Sequence, residues 1–270
     1  MSERLSLSWP ALRRTTPARI GLGRSGTALT TGAQLDFQLA HARARDAVHA
    51  ALDGERILNE LRALGLEATL LRSQAADRTT YLRRPDFGRN LDSRSRHLLI
   101  RHSRESRNPR EATGQLPLDP RFRGGDGKEG ATIDIGFVIT DGLSATAVNA
   151  HAVPLIAAAL DGLDAICIGP VAVVEGGRVA IGDEIGGLLG ADLVAVLIGE
   201  RPGLSAADSL GVYVTWQPAP GTVDAARNCL SNIRPEGMPI PEAAAALREL
   251  MASVRRHRMT GVALSQRLNG

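Results

Sequence analysis

The stretch Ala191-Asp-Leu-Val-Ala-Val-Leu-Ile198, running straight into Gly199-Glu-Arg-Pro-Gly203, decides how the rest of the chain is read. Its first half is an apolar run of strand length without polar alternation, the pattern of a strand buried on both faces. Its second half is a Gly/Pro-framed turn that carries a carboxylate and a guanidinium. In open α/β sheets, ligands bind outside the carboxyl ends of the strands. Glu200 therefore stands where a binding residue is expected. A solvated Glu–Arg pair in a βα turn is the equally open alternative.

Outward from this stretch, the chain alternates strands and helices. Residues 136–140 read as a buried strand, Asp141-Gly-Leu-Ser144 as a turn with Ser144 as N-cap, and 145–160 as a helix. Residues 165–168 read as the next strand. Residues 171–174 and 178–181 flank Glu175-Gly-Gly177 as a small hairpin. Residues 183–190 form a short helix with acids in its first turn and glycine at its end. Residues 211–216 give another strand. The last long helix starts at Pro241, with Ala244, Leu247, Met251 and Val254 as its apolar stripe. This alternation implies an α/β fold, doubly wound, with a mostly parallel sheet.

The N-terminal region reads as mainly helical. Thr31-Gly-Ala-Gln34 has the form of a capping box that opens a helix to about Leu52, with Phe37, Ala40, Ala44, Ala47 and Val48 on one face. A second helix is expected over 55–64 and a short strand over 66–71. From about Arg94 to Gly130 arginines and glycines crowd a polar stretch that keeps neither period, so a long solvated or disordered insertion is expected. Part of it resembles the translation of a dispersed bacterial DNA repeat. The chain thus divides into 1–96, a basic insertion at 97–130, and an α/β domain at 131–270.

With 270 residues, 43% of them hydrophobic, the chain can bury one large core or two modest ones. Aromatics are only 3%, so packing rests on Ala, Leu, Val and Ile. A net charge of +3 gives no whole-protein argument for nucleic-acid binding. Cys167 and Cys229 are far apart in a chain with no secretory apolar segment, and both are expected reduced. No run approaches the ~18 apolar residues of a membrane span. A soluble cytoplasmic protein is expected.

Chemistry-bearing motifs are sparse. Gly21-x-Gly23-x-x-Gly26 matches dinucleotide spacing, but no convincing strand precedes it. The six histidines, His41, His49, His97, His102, His151 and His257, make no metal-ligand spacing. Ser144 lacks a nucleophile elbow. Cys229 reads as a buried or ligand-lining thiol, with a nucleophile paired to a distant histidine as the alternative. Tyr81-Leu-Arg-Arg-Pro-Asp-Phe-Gly-Arg89 places three arginines in a tight loop, which suits a binding or interface role. The residues alone give an α/β binding domain with polar turns gathered at one sheet edge and no self-sufficient catalytic set, with a stand-alone nucleotide-binding oxidoreductase, or a non-enzymatic module binding protein or nucleic acid through the basic run, as rivals.

Several long strings occur together and in order: Asp141-Gly-Leu-Ser-Ala145, Gly182-Asp-Glu-Ile-Gly186, Leu197-Ile-Gly-Glu-Arg-Pro-Gly-Leu204, Ser209-Leu-Gly-Val-Tyr213 and Arg227-Asn-Cys-Leu-Ser-Asn-Ile233. Residues 16–26 and 81–88 extend the set. The chain resembles the small (light) subunits of ethanolamine ammonia-lyase everywhere except about 97–130. The resemblance implies a Rossmann-like domain and large-subunit contacts through residues 1–96. It implies a hetero-oligomer with a large subunit that holds the substrate, and no catalytic residue or metal ligand on this chain. It also implies adenosylcobalamin as cofactor, in the base-on form, touched by Val179, Glu200 and Cys229. The chain has no Asp-x-His-x-x-Gly of base-off cobalamin proteins, in keeping with that form. No nucleic acid or membrane partner is implied. Some relatives carry a longer leader for a bacterial microcompartment, which leaves encapsulation open.

Overall fold

The structure is a computed structural model that describes residues 8–107, 133–163 and 166–269. The chain opens with helix α1 (Trp9–Arg13), a minimal hairpin of β1 (Arg24–Ser25) and β2 (Ala28–Leu29), and helix α2 (Thr31–His49). Next come α3 (Gly54–Ala63), β3 (Ala68–Arg72), α4 (Arg78–Arg83) and α5 (Ser93–Arg107). Then follow β4 (Ile133–Thr140), α6 (Ala145–Leu160), β5 (Val171–Glu175), α7 (Ile181–Leu189) and β6 (Ala191–Gly199). The chain continues through β7 (Leu210–Trp216), β8 (Asn228–Ile233), α8 (Ile240–His257) and α9 (Val262–Asn269).

Six strands form one sheet in the order β3-β5-β4-β6-β7-β8. The first four run parallel to one another, and β7 and β8 add on as antiparallel strands. The mixed α/β class and the mostly parallel sheet are as expected. β6 shows why its sequence lacks alternation. Leu193, Ala195 and Leu197 enter one core cluster with residues of α3, α6 and α8. Val194, Val196 and Ile198 enter a second cluster on the opposite face, with α5 and α7. Both sides of the strand are apolar because both are covered.

Helix α6 carries the chain from β4 to β5, and α7 carries it back past β4 to β6. Parallel crossovers keep one hand, so reversing the winding direction puts the two helices on opposite faces. The carboxyl ends of β4 and β5 thus frame the switch point, where open α/β sheets usually hold a ligand.

Several expectations need correction. The hairpin over 171–181 does not form. Val171–Val174 are buried to 1% exposure or less, so β5 is an interior parallel strand, and 178–181 turns into α7 instead. The break in periodicity from Arg94 is not a break in structure at that point. Helix α5 runs through it, because Leu99 packs fully buried in the second cluster and anchors the arginine-rich helix by one face. The rest of the basic run, 108–130, lies outside the described residues. Tyr81 belongs to a short helix rather than a loop and is 1% exposed. In α2 the cap is Thr30, whose hydroxyl accepts the Ala33 N–H, and only Ala47 is buried. The strand expected over 165–168 begins outside the described residues, and Ile168 makes a single parallel bridge to Ile135.

Candidate functional site

The switch-point crevice is filled by the protein itself. Arg78, at the start of α4, donates from Nη1 to the Asp141 carboxylate at 3.2 Å and to the Gly142 carbonyl at 2.8 Å. Its Nε reaches the Val48 carbonyl at the end of α2. The other Asp141 oxygen accepts the Gly176 N–H at 2.8 Å, which ties the end of β4 to the end of β5. Tyr81 lies beneath, its hydroxyl donating to the Gly177 carbonyl. The Arg78 and Arg178 guanidiniums sit 4.8 Å and 4.2 Å from its ring centroid, within cation–π range. The Arg178 N–H donates to the Gly88 carbonyl, and a Cβ on Gly88 would meet Arg178 Cγ at 2.8 Å. Glycine at 88 is what allows the 81–89 segment to close over the turn.

Burial pushes the Asp141 carboxyl up, while Arg78 and the Gly176 N–H pull it back without cancelling the rise. This is a structural carboxylate sealed by its own chain. The arginines that dock the N-terminal region onto the strand ends are thus Arg78 and Arg178, whereas Arg83, Arg84 and Arg89 of the 81–89 segment are exposed and Arg84 pairs with Asp86 at 2.7 Å within it.

Glu200 lies elsewhere, at the end of β6 and beside the antiparallel corner. Gly199 packs so closely under the β4–α6 turn that a Cβ there would meet the Ser144 carbonyl at 2.0 Å. The Leu143 N–H donates to the Gly199 carbonyl across the same gap. That contact fixes where β6 ends and hence where Glu200 emerges. Its Oε2 accepts from the Ser209 hydroxyl at 2.5 Å and from the Asn232 N–H at 3.2 Å. Its Oε1 rests over Gly211.

Cys229 faces Tyr213 across β7 and β8. The residue as a whole is exposed, but Tyr213 and Glu200 crowd its sulfur. Burial raises the thiol pKa, Glu200 adds to the rise, and the Tyr213 phenol only partly opposes it. Such a thiol stays protonated at neutral pH and presents a weakly polar surface, which disfavours the nucleophile alternative. The Tyr213 phenol is pushed up to about 12, by burial first and then by Cys229 and Glu200.

Val179, in the turn before α7, packs against the rim of the same cluster that receives Tyr213. Helix α7 lies over β4 and β6, while α8 covers β7 and β8 from the other side. The α7-side face of the β7–β8 corner is therefore left partly open. Glu200 and Cys229 both act on the Tyr213 side chain at this corner, and Val179 packs against the same apolar cluster as Tyr213.

The corner is braced from below. Arg227 forms a bidentate pair with Asp183 at 2.6 Å and 2.7 Å, both side chains being 2% exposed. It also donates to Thr215 and to the Thr222 carbonyl. This pins the start of β8 to α7. Sequence reading placed Arg227-Asn-Cys-Leu-Ser-Asn-Ile233 among the family strings but gave Arg227 no partner. It also gave Ser209 and Tyr213 no role, although Ser209, Gly211 and Tyr213 alternate along one strand as residues sharing a face do.

The chain matches the family "Ethanolamine ammonia-lyase light chain" over residues 7–113 and 121–265. It belongs to that family. Named ethanolamine ammonia-lyase small subunits are close to it. The one from Azotobacter vinelandii is 48% identical over 258 residues, covering 95% of this chain and 87% of the relative. Those of Ralstonia nicotianae and Bradyrhizobium diazoefficiens are 48% and 49% identical, covering 96% and 94% of this chain and 88% of each relative. The internal gap in the light-chain match, residues 114–120, is narrower than the 97–130 departure expected from sequence.

The dinucleotide reading loses its footing in the same geometry. Gly21, Gly23 and Gly26 lie in and before the β1–β2 hairpin, not between a sheet strand and a helix, and Gly21 is packed under the Trp9 ring. The crevice a dinucleotide would use is closed by Arg78 and Tyr81. Among the described residues no cluster of three or more His, Cys, Asp or Glu is arranged to hold a metal ion. None of the described helices is long and apolar enough to cross a membrane.

Proposed function

We propose that this chain is the small subunit of an adenosylcobalamin-dependent ethanolamine ammonia-lyase, and that its open β7–β8 corner is one wall of the corrin site. The observation that carries the reading is that Glu200 and Cys229 both lie by Tyr213 at the open corner, with Val179 on the same apolar cluster as that tyrosine. Val179 and the protonated Cys229 offer apolar contact to the rim of a macrocycle. Glu200 offers an acceptor to amide side chains on that rim. Such a set fits a large, flat, amide-decorated ligand better than a phosphate, which calls for donors and positive charge. Adenosylcobalamin supplies a homolysable cobalt–carbon bond, the radical source for converting ethanolamine to acetaldehyde and ammonia. This chain binds and orients the cofactor, kept base-on, and contributes no catalytic residue.

The doubly wound, Rossmann-like description fits the helices on both faces and the reversal at β4 and β5. The open corner calls for a second wall, and a large subunit in a hetero-oligomer supplies it. Residues 1–96 form a second contact region with that subunit. In their favour, Trp9, Leu29, Leu35, Phe37 and Leu39 are 43% to 59% exposed, an unusual concentration of bare apolar side chains.

Reconstitution tests the reading. The chain mixed with a large subunit and adenosylcobalamin should release acetaldehyde from ethanolamine, whereas the chain alone should not. A folded, soluble chain that supports no acetaldehyde release with any light-chain-compatible large subunit would sink it.

A further inference from the structure

Glu200 is held in a way a simple surface carboxylate is not. Both hydrogen bonds it receives, from the Ser209 hydroxyl and the Asn232 N–H, land on the same oxygen, Oε2. Among the described residues no hydrogen bond reaches Oε1. The loop between them is closed by the Glu200 N–H donating to the Ser209 carbonyl at 2.9 Å. Asn232 directs its N–H inward only because it adopts a left-handed backbone, φ 58°. Its carbonyl accepts the Met238 N–H at 2.8 Å, and a Cβ on Gly237 would stand 2.2 Å from that carbonyl. A Cβ at Gly211 would lie 3.0 Å from Oε1 and would crowd the carboxylate out of place.

We infer that Ser209 and the left-handed turn at Asn232 are positioning elements that fix the Glu200 carboxylate and reserve Oε1 for an amide N–H donor of the bound ligand. This rests on the corrin reading above and deepens it. A free glutamate side chain loses rotamer freedom when it is ordered. Two donors on one oxygen meet that cost before the ligand arrives, so the remaining lone pairs face it preorganised. Ser209 is only 5% exposed, so its hydroxyl acts through Glu200 and not on the ligand.

The test uses the assembled enzyme with its large subunit and measures adenosylcobalamin affinity by spectroscopic titration. Ser209→Ala is expected to weaken binding by about tenfold, the effect of one charge-assisted hydrogen bond. Ser209→Thr, which keeps the hydroxyl, is expected to restore it. In a Glu200→Ala background, Ser209→Ala is expected to have no further effect, because the two act as one unit. An equal loss in both backgrounds, or no loss from Ser209→Ala when Glu200→Ala weakens binding, overturns the positioning role and leaves the corrin reading standing. Unchanged affinity in Glu200→Ala itself overturns both.

Discussion

Two carboxylates end two neighbouring strands, and they are used in opposite ways. Asp141, after β4, has both oxygens taken by this chain's own donors, Arg78 on one and the Gly176 N–H on the other. Glu200, after β6, has one oxygen taken, and the other receives no hydrogen bond among the described residues. Around Asp141 the chain has folded its own Tyr81 and two arginines into the crevice where α/β sheets commonly bind ligands. Around Glu200 it has left a corner uncovered. A strand-end carboxylate in a glycine-rich turn is thus not by itself a site. What separates a structural acid from a binding one is whether the chain has already spent its acceptors.

If this contrast holds, substitutions beneath and within the closed parts should cost stability, and those on the open corner should cost binding. The largest loss is expected from Asp183→Ala. It strands the Arg227 guanidinium in a buried site and should cost about 3–5 kcal/mol in urea unfolding. Arg78→Ala should follow at about 2–3 kcal/mol, since it removes charge-assisted bonds to Asp141 and Gly142. That variant should still bind no dinucleotide, because Tyr81 remains in the crevice. A loss of stability from Cys229→Ser as large as that from Arg78→Ala would break the comparison.

The two tyrosines of the chain sharpen it, since Tyr81 sits in the closed crevice and Tyr213 on the open corner. Both phenols are pushed from 10.0 to about 12, chiefly by burial. The folded values lie above the unfolded ones. The stability gained by keeping the phenols neutral is therefore complete below pH 10 and is lost as pH rises toward 12. Near-ultraviolet titration of the native chain should show no phenolate step near 10, whereas the chain in guanidinium should show both there. Tyr81→Phe should halve the native signal at the upper step. The smallest stability effects, within about 0.5 kcal/mol, are expected for Val179→Ala and Cys229→Ser. Their effect should appear instead as weakened cobalamin uptake by the assembled enzyme.

Much of the sheet was legible because its strands are short-range signals. The unbroken apolar run of β6, the Ser144 cap and the Gly190 helix end each declare themselves within a few residues. β5 was misread because Glu175-Gly-Gly177 looks like a hairpin turn to a local reading. Its true neighbours, β3 and β4, lie far away in sequence, and pairing over such distances leaves no local mark. α5 was missed because only Leu98 and Leu99 mark the side that packs, against a row of arginines. Of the three proposed ligand contacts, Val179 came from family resemblance alone, while Glu200 after β6 and the thiol of Cys229 were also candidates from their own residues. Arg227 with Asp183, and Ser209 with Glu200, become pairs only once β7 and β8 fold back beside β6. A sequence shows the polar groups but not which of them meet.

The sheet has two outer strands, and the carboxyl end of each is capped by the chain itself. Beside β3, the Asp92 N–H donates to the Arg72 carbonyl, and Ser95 accepts the Arg72 N–H. At the end of β8, Met238 bridges to Ile233, and the left-handed Asn232 turns the strand aside. The outer strands are also short, five residues in β3 and six in β8, which limits the row of peptide groups a foreign strand could extend. The subunit can therefore expose a broad open corner while waiting for its partner without inviting copies of itself to polymerise through their backbones.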